Sequence, residues 1–187
     1  MIGRNEHVRR RKQLMRMAGR DAIVIVPSAA ERLRNNDAHY AFRQDSDFHY
    51  LTGFGEPEAV LALVPGRAQG EVILFCRERD PAREQWDGHR AGQEGAVADY
   101  AMDDAFPIED IDDILPGLIE GRSRVYYHFG RDTDFDLMLM GWVNRVRSNI
   151  RQGAKPPHEF VALSHLLHDL RLYKSRGELR LMRKSAQ

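Results

Sequence analysis

The chain has little cysteine, no excess of either charge and no long apolar run. Its 187 residues include one cysteine, Cys76, so no internal disulfide can form, which is typical of a reducing compartment. The 28 Lys and Arg residues balance 28 Asp and Glu residues, whereas a nucleic-acid-binding protein typically carries an excess of positive charge. No apolar run approaches the roughly 20 residues that a membrane span needs, and no secretory signal follows Met1. We therefore expect a cytoplasmic protein that binds neither nucleic acid nor membrane.

The motifs of several enzyme classes are missing as well. The sequence contains no glycine-rich phosphate loop, no Gly-x-Ser-x-Gly nucleophile elbow and no His-Glu-x-x-His metal motif. His165 and His168 share one face of a predicted helix, but the spacing marks no third ligand, so a surface pair is favoured over a metal site. His49 and His128 fall in predicted strands, where we expect packing or hydrogen bonding. The residues alone therefore indicate no catalytic residue and no metal ligand.

Strand and helix patterns alternate along the chain. The hydrophobic share of 42% and the charged share of 30% are typical of a globular protein with a substantial core. Continuous apolar or alternating segments predict strands at 21–27, 58–64, 70–76 and 124–128, and a Pro-Gly turn predicts that the second and third form an antiparallel hairpin. Helical spacing predicts helices at 5–17, 81–86, 108–119, 134–147 and 159–172. The pattern indicates an α/β fold with a mixed sheet of about six strands flanked by helices.

Residues 42–54 form the most distinctive segment of the chain. They contain four aromatic residues, one arginine and two aspartates within 13 positions. The alternation around Phe48 and Tyr50 predicts a further strand with one buried face, preceded by a turn and ended at Gly53. An ordinary turn and strand is the interpretation that physics alone favours, and contact with a ligand or another chain is the alternative.

Several charged and aromatic residues have plain structural interpretations. Residues 9–12, Arg-Arg-Arg-Lys, are expected on a solvated or salt-bridged helix face. Cys76 is expected to be a small buried hydrophobic residue. Trp86 lies in a glycine-spaced polar segment, where it either covers the edge of the core or is exposed for an interface or a ligand. Asp37 is expected in a turn, and Arg151 in a solvated loop.

The last segment begins with a clear helix start. Ser175 and Glu178 form a capping box sequence, serine at the cap and glutamate three residues later. No glycine or proline follows before Gln187, which predicts that the helix belongs to a longer polypeptide. A frayed natural terminus is the alternative.

Four blocks of residues resemble one known family. Residues 42–54, followed by Glu56-Pro57-Glu58-Ala59, are similar to the N-terminal domain of aminopeptidase P, the Xaa-Pro aminopeptidase of the creatinase and prolidase group. Three further blocks occur in the order of that family: Trp86-x-Gly-x-Arg-x-Gly92, Val125-Tyr-Tyr-His128, and residues 168–175 with Glu178. Asp45 and His49 depart from the family pattern, which usually has asparagine and commonly tryptophan at these positions.

The resemblance implies two domains, of which this chain contains the first. Residues 1–174 would form the N-terminal α/β domain, and residues 175–187 would begin a linker helix into a C-terminal catalytic domain of the pita-bread fold. That domain would hold two metal ions, usually manganese, through two aspartates, a histidine and two glutamates. The parent protein would remove the N-terminal residue preceding proline. The 187-residue chain alone would have no catalytic residue and no metal, and would be inactive.

The resemblance also implies a role for this half of the protein. It would support a homo-oligomer, a dimer or a tetramer, and shape the cleft for a peptide with proline at the second position. Trp86 matches an aromatic residue that reaches a partner's cleft, and Asp37 and Arg151 match polar residues near that cleft. A stand-alone module of the same fold, which only associates with itself or a partner, is the alternative.

Overall fold

Six strands form one mixed sheet, and two more form a small separate hairpin. The computed structural model describes residues 2–36 and 38–186. The strands are β1 (Ala22–Pro27), β2 (Leu33–Asn35), β3 (Ala38–His39), β4 (Val60–Leu63), β5 (Val72–Cys76), β6 (Asp104–Pro107), β7 (Arg124–Tyr127) and β8 (Glu159–Ala162). The helices are α1 (Arg4–Ala18), α2 (Ser46–Thr52), α3 (Pro81–Asp87), α4 (Gly92–Tyr100), α5 (Ile111–Ile119), α6 (Thr133–Ser148), α7 (Ser164–Leu172) and α8 (Arg176–Ser185).

The main sheet has the order β6-β5-β4-β1-β7-β8, with antiparallel strands at its centre and parallel pairs at both edges. β1 pairs antiparallel with β4 and parallel with β7, and β4 and β5 form the predicted antiparallel hairpin. β6 and β8 add parallel partners to β5 and β7. A mixed six-stranded sheet flanked by helices is thus confirmed.

Helices cover both faces of the sheet and bury two apolar layers. One layer packs α1, α2, α4 and α7 against the sheet, and the other packs α5 and α6. Alternate residues of β1 face the two layers, since Val24 belongs to the first and Ile25 to the second. Burial on both faces explains why the sequence of β1 is apolar without interruption.

The aromatic segment is a helix, and its prediction as a strand was wrong. The Asp45 carboxylate accepts the backbone N–H groups of Asp47 and Phe48, both at 2.9 Å, and so caps the start of α2. Gly53 ends the helix at a φ of 70°, a left-handed conformation that glycine adopts without steric cost. Phe48 and Leu51 are fully buried and lie three residues apart on one helix face. Helix capping therefore decided the structure of this segment.

Several other boundaries also differ from the predictions. Residues 159–162 form edge strand β8 instead of the start of a helix, because they pair with β7, and α7 begins only at Ser164. β6, α4 and the small β2–β3 hairpin were not predicted. α1 begins at Arg4, one residue before the predicted start. The helices predicted at 81–86, 108–119 and 134–147 and the helix start at Ser175 are confirmed.

Two arginines of the basic run 9–12 are buried, so the predicted solvated face is wrong for them, although Arg10 keeps salt bridges to Glu6 and Glu178. Arg9 is exposed and pairs with Glu6 at 2.7 Å, as predicted. Arg10 and Arg11 are 2% and 1% exposed. The Arg11 guanidinium donates hydrogen bonds to the carbonyl oxygens of Leu51, Tyr100 and Ala101. These carbonyls lie at the C-terminal ends of α2 and α4, where the last carbonyl groups of a helix have no partner within it. The Arg11 guanidinium therefore supplies hydrogen-bond donors to the ends of two helices.

Candidate functional site

The polar centre of the domain is the carboxylate of Asp47, which is 4% exposed at the start of α2. Its Oδ1 accepts a short hydrogen bond from Nη1 of Arg171 on α7. Its Oδ2 accepts a hydrogen bond from Nη1 of Arg131 at 3.3 Å and lies 3.1 Å from Nε2 of His128. The cluster therefore joins α2, α7 and the loop after β7 through one buried anion.

Opposing effects act on the pKa of Asp47. Burial is the largest effect and would raise the pKa, because it disfavours the charged carboxylate. The contacts with His128 and Arg171 together outweigh burial and hold the pKa of Asp47 well below its ordinary value. The carboxylate is therefore ionised at neutral pH. It does not have the raised pKa of a general acid, and its contacts indicate a structural role.

A cleft of about 540 Å³ opens beside this cluster at the carboxyl ends of β1 and β7. Its walls include Pro27, the loop that follows it, Tyr40, Arg43 and the segment from Tyr127 to Asp132. His128 lines the cleft and contacts Asp47, so the buried cluster forms part of its floor.

Trp86 is 88% exposed on helix α3. The helix is capped by Asp80, whose Oδ1 accepts two backbone N–H groups, and it has proline at its first position. Glu84 on the same helix forms an ion pair with Arg79 at 2.9 Å. Of the two interpretations of Trp86, exposure is correct and coverage of the core is wrong.

The other two predicted site residues are less informative. Arg151 is exposed in a short 3-10 turn (Ile150–Gln152) after α6, in agreement with a solvated position. Asp37 lies outside the described residues. Among the described residues, no hydrogen bond, ion pair or ring contact joins Trp86 to Arg151.

The histidines and acids form no metal centre in the described part of the chain. His165 and His168 are both exposed on α7, as predicted, and His165 Nδ1 lies 2.7 Å from the carbonyl oxygen of Ala162. Within residues 2–36 and 38–186, no three His, Cys, Asp or Glu side chains are grouped to hold a metal ion. The described residues therefore do not fit the two-metal site that the resemblance implies for the whole enzyme.

Sequence reasoning missed the central cluster. Asp47 lay in a segment predicted as a turn and strand, and neither Arg131 nor Arg171 was singled out as a site residue. Asp47 and Arg171 are 124 positions apart, and no local periodicity links residues at that separation. His128 was expected to be packed or hydrogen-bonded, and it is 7% exposed beside Asp47. It follows directly after β7, while His49 lies in α2, so both strand assignments were wrong.

The fold and its polar cluster define an α/β domain of mixed topology with a buried, ion-paired carboxylate and no group of metal-ligating side chains among its described residues. A family model described as aminopeptidase P, N-terminal domain, matches residues 7–127. The chain belongs to this family.

Relatives and solved structures agree with the family. The chain is 33% identical over 187 residues to the Xaa-Pro aminopeptidase of Escherichia coli, and 33% identical over 175 residues to human Xaa-Pro aminopeptidase 3. The match to the E. coli protein covers 100% of this chain and 42% of that protein. The match to the human protein covers 91% of this chain and 34% of that protein. The chain thus spans less than half the length of the curated relatives it matches.

Among solved structures, aminopeptidase PepP of Pseudomonas aeruginosa superimposes with a TM-score of 0.95 at 64% identity, covering 97% of this chain and 41% of that one. A zinc-substituted aminopeptidase P of E. coli in complex with product gives a TM-score of 0.93 at 33% identity, covering 98% of this chain and 42% of that one. No helix among the described residues has the length and apolar character needed to cross a membrane.

Proposed function

We propose that this chain is the N-terminal, non-catalytic part of a proline-specific metalloaminopeptidase, which removes the N-terminal residue preceding proline. The observation that carries the proposal is the family match over residues 7–127 together with the coverage of 42% of a named Xaa-Pro aminopeptidase. A catalytic domain equivalent to the part of that relative that this chain does not match would carry out the hydrolysis. Two metal ions, manganese by the resemblance, would act there as Lewis acids.

The boundary between the two parts is proposed at residues 174 and 175. The capping box forms in full, since Ser175 Oγ accepts the Glu178 N–H at 3.2 Å and Glu178 Oε2 accepts the Ser175 N–H at 2.7 Å. Helix α8 then buries no residue against the α/β domain. A helix with a complete N-terminal cap and no buried residue suits a linker into a second domain. We propose that this catalytic domain is one partner of the chain.

We also propose that Trp86 contacts the substrate cleft of a partner copy in a cytoplasmic homo-oligomer, a dimer or a tetramer. Its exposure on a capped helix supports this role, because an exposed indole is typical of interface anchors. Asp37 and Arg151 are proposed near the same cleft on the resemblance alone. The peptide substrate would carry proline at its second position.

The first test uses the pure 187-residue chain with an Xaa-Pro peptide and Mn²⁺. We expect no release of the N-terminal residue above a protein-free blank, and metal-dependent release by this chain would overturn the non-catalytic assignment. The natural reading frame decides between the two candidate roles. A stop codon after Gln187 would favour a self-contained interaction module, and continuation into histidine and carboxylate motifs would favour the peptidase.

The second test replaces Trp86 by alanine in the full-length protein. We expect kcat/KM for an Xaa-Pro peptide to fall at least about tenfold while the melting temperature is unchanged. Leu137→Ala is the matched control, because Leu137 is an apolar residue of α6 that is 67% exposed. Equal activity of the two variants would contradict the role of Trp86, and sedimentation of both would show whether the oligomer is lost.

A further inference from the structure

The cleft between β1 and β7 lies at a point where the chain connections diverge. The two strands are adjacent and parallel, so their carboxyl ends meet at one edge of the sheet. The chain leaves β1 towards α2, whose Phe48 and Leu51 pack in the first apolar layer. The chain leaves β7 towards α6, whose Leu139 and Val143 pack in the second layer on the opposite face. Such a divergence leaves a crevice, and α/β proteins bind their ligands in crevices of this kind.

The size and lining of the cleft suit a small organic molecule. Its volume of about 540 Å³ lies within the range of roughly 300–1,000 Å³ that is typical of ligand pockets. Tyr40 on its wall is 59% exposed and has no ring contact with another described residue. A flat ligand could therefore stack on this ring.

The charges of the cleft favour an anion. Arg32 and Arg43 line it, and neither side chain has a hydrogen bond or ion pair with another described residue. Asp45 and Asp132 also line it: the Asp45 carboxylate accepts two backbone N–H groups and lies 3.8 Å from Arg131, and the Asp132 carboxylate accepts one backbone N–H group. Arg131 is engaged by Asp47. Two guanidinium groups thus remain available, and guanidinium binds carboxylate and phosphate in a bidentate manner.

We propose that this cleft binds a small organic anion, with its carboxylate or phosphate group on Arg32 and Arg43 and a flat ring on Tyr40. The site lies at the divergence of β1 and β7, is built from residues of this chain only, and is independent of the aminopeptidase role proposed above.

The proposal is tested by NMR titration of the ¹⁵N-labelled chain with four probes: benzoate, phenyl phosphate, neutral benzamide and inorganic phosphate. We expect benzoate or phenyl phosphate to shift the amide signals of residues 28–32 and 40–45, with saturation below about 10 mM. Benzamide and inorganic phosphate should bind at least about tenfold more weakly, because one lacks the charge and the other lacks the ring. The tighter of the two aromatic anions identifies the ligand as a carboxylate or a phosphate.

Two variants locate the site. The double variant Arg32→Ala/Arg43→Ala should weaken binding at least about tenfold, whereas Arg180→Ala, which removes an exposed arginine of α8, should leave it unchanged. Circular dichroism melting checks that all proteins are folded equally. The proposal is overturned by the absence of saturable shifts, by benzamide binding as well as benzoate, or by equal affinities in the double variant and the control.

Discussion

Glu178, in the first turn of α8, forms an ion pair with Arg10 of α1, with 3.2 Å between its Oε1 and the arginine Nη2. The Arg10 side chain is 3% exposed, and its guanidinium also lies 3.9 Å above the ring of Tyr50. Since α8 has no buried residue of its own, this ion pair is a contact that holds the first turn of the helix against α1.

Replacing Glu178 should therefore loosen α8. Glu178→Gln retains a side chain that can complete the capping box, but removes the charge that faces Arg10. We expect amide hydrogen exchange in residues 179–185 to be about fivefold faster, which corresponds to roughly 1 kcal/mol for a partly screened pair. Glu120→Gln, an exposed glutamate beyond α5, is the control. Unchanged exchange in α8 would show that the ion pair does not hold the helix.

Asp47→Asn should make the domain less stable in a pH-dependent way. The pKa of Asp47 is below its ordinary value in the folded chain, so its ionised form stabilises the fold above about pH 4, the unfolded value. This contribution is lost as the pH falls below about 4 towards the lower pKa of the folded state. We expect the variant to lose roughly 2–4 kcal/mol at pH 7, because Arg171 and Arg131 lose their anion.

Urea unfolding at pH 7 and at about pH 2.5 measures this difference. The difference in free energy of unfolding between wild type and Asp47→Asn should be smaller at the lower pH. Asp134→Asn, at an exposed aspartate of α6, serves as the matched control and should cost little at either pH. If this difference is the same at both pH values, the ionised Asp47 carboxylate does not stabilise the fold in the way described.

Arg11→Met should be among the most destabilising changes in α1. Burial lowers the pKa of Arg11 to about 10, so the guanidinium is still charged at neutral pH while it donates to carbonyls of α2 and α4. Methionine keeps most of the volume but leaves these carbonyls unsatisfied, at a cost of roughly 2–4 kcal/mol. Arg16→Met, at an exposed position of the same helix, should cost less than about 0.5 kcal/mol. Chemical unfolding of both variants gives the comparison.

Cys76 should not react in the folded protein. The residue is 1% exposed in β5, and burial raises the pKa of its thiol to about 12, so hardly any thiolate exists at pH 8. We expect no labelling by a disulfide reagent at pH 8 in buffer and complete labelling in denaturing urea. Rapid labelling in buffer would show that the central sheet opens locally.

The elements that could be predicted from sequence are those with a local signal. β1, β4 and β5 carry uninterrupted apolar residues between turns, and α8 carries its own capping box, so each was placed within a few residues. The burial of Cys76 followed from its apolar neighbours, whereas the surroundings of Trp86 left both coverage of the core and exposure open. The cleft at β1 and β7 and the buried Asp47 carboxylate beside it carried no such signal. Their residues come together only when distant strands and helices pack.

The aromatic segment shows how local signals compete. Alternation around Phe48 and Tyr50 favoured a strand, yet the cap from Asp45 and the left-handed Gly53 produce a short helix. The edge strand β8 shows the opposite outcome, since pairing with β7 overrides a helical pattern.

The sequence by itself determined the family, the α/β class, the central hairpin and the start of α8, because these depend on short motifs and on residues that are close together in the chain. Only the tertiary structure decided that Arg10, Arg11 and Asp47 are buried. A charged side chain enters the interior only where partners from distant elements satisfy it, and those partners become neighbours only in the folded chain.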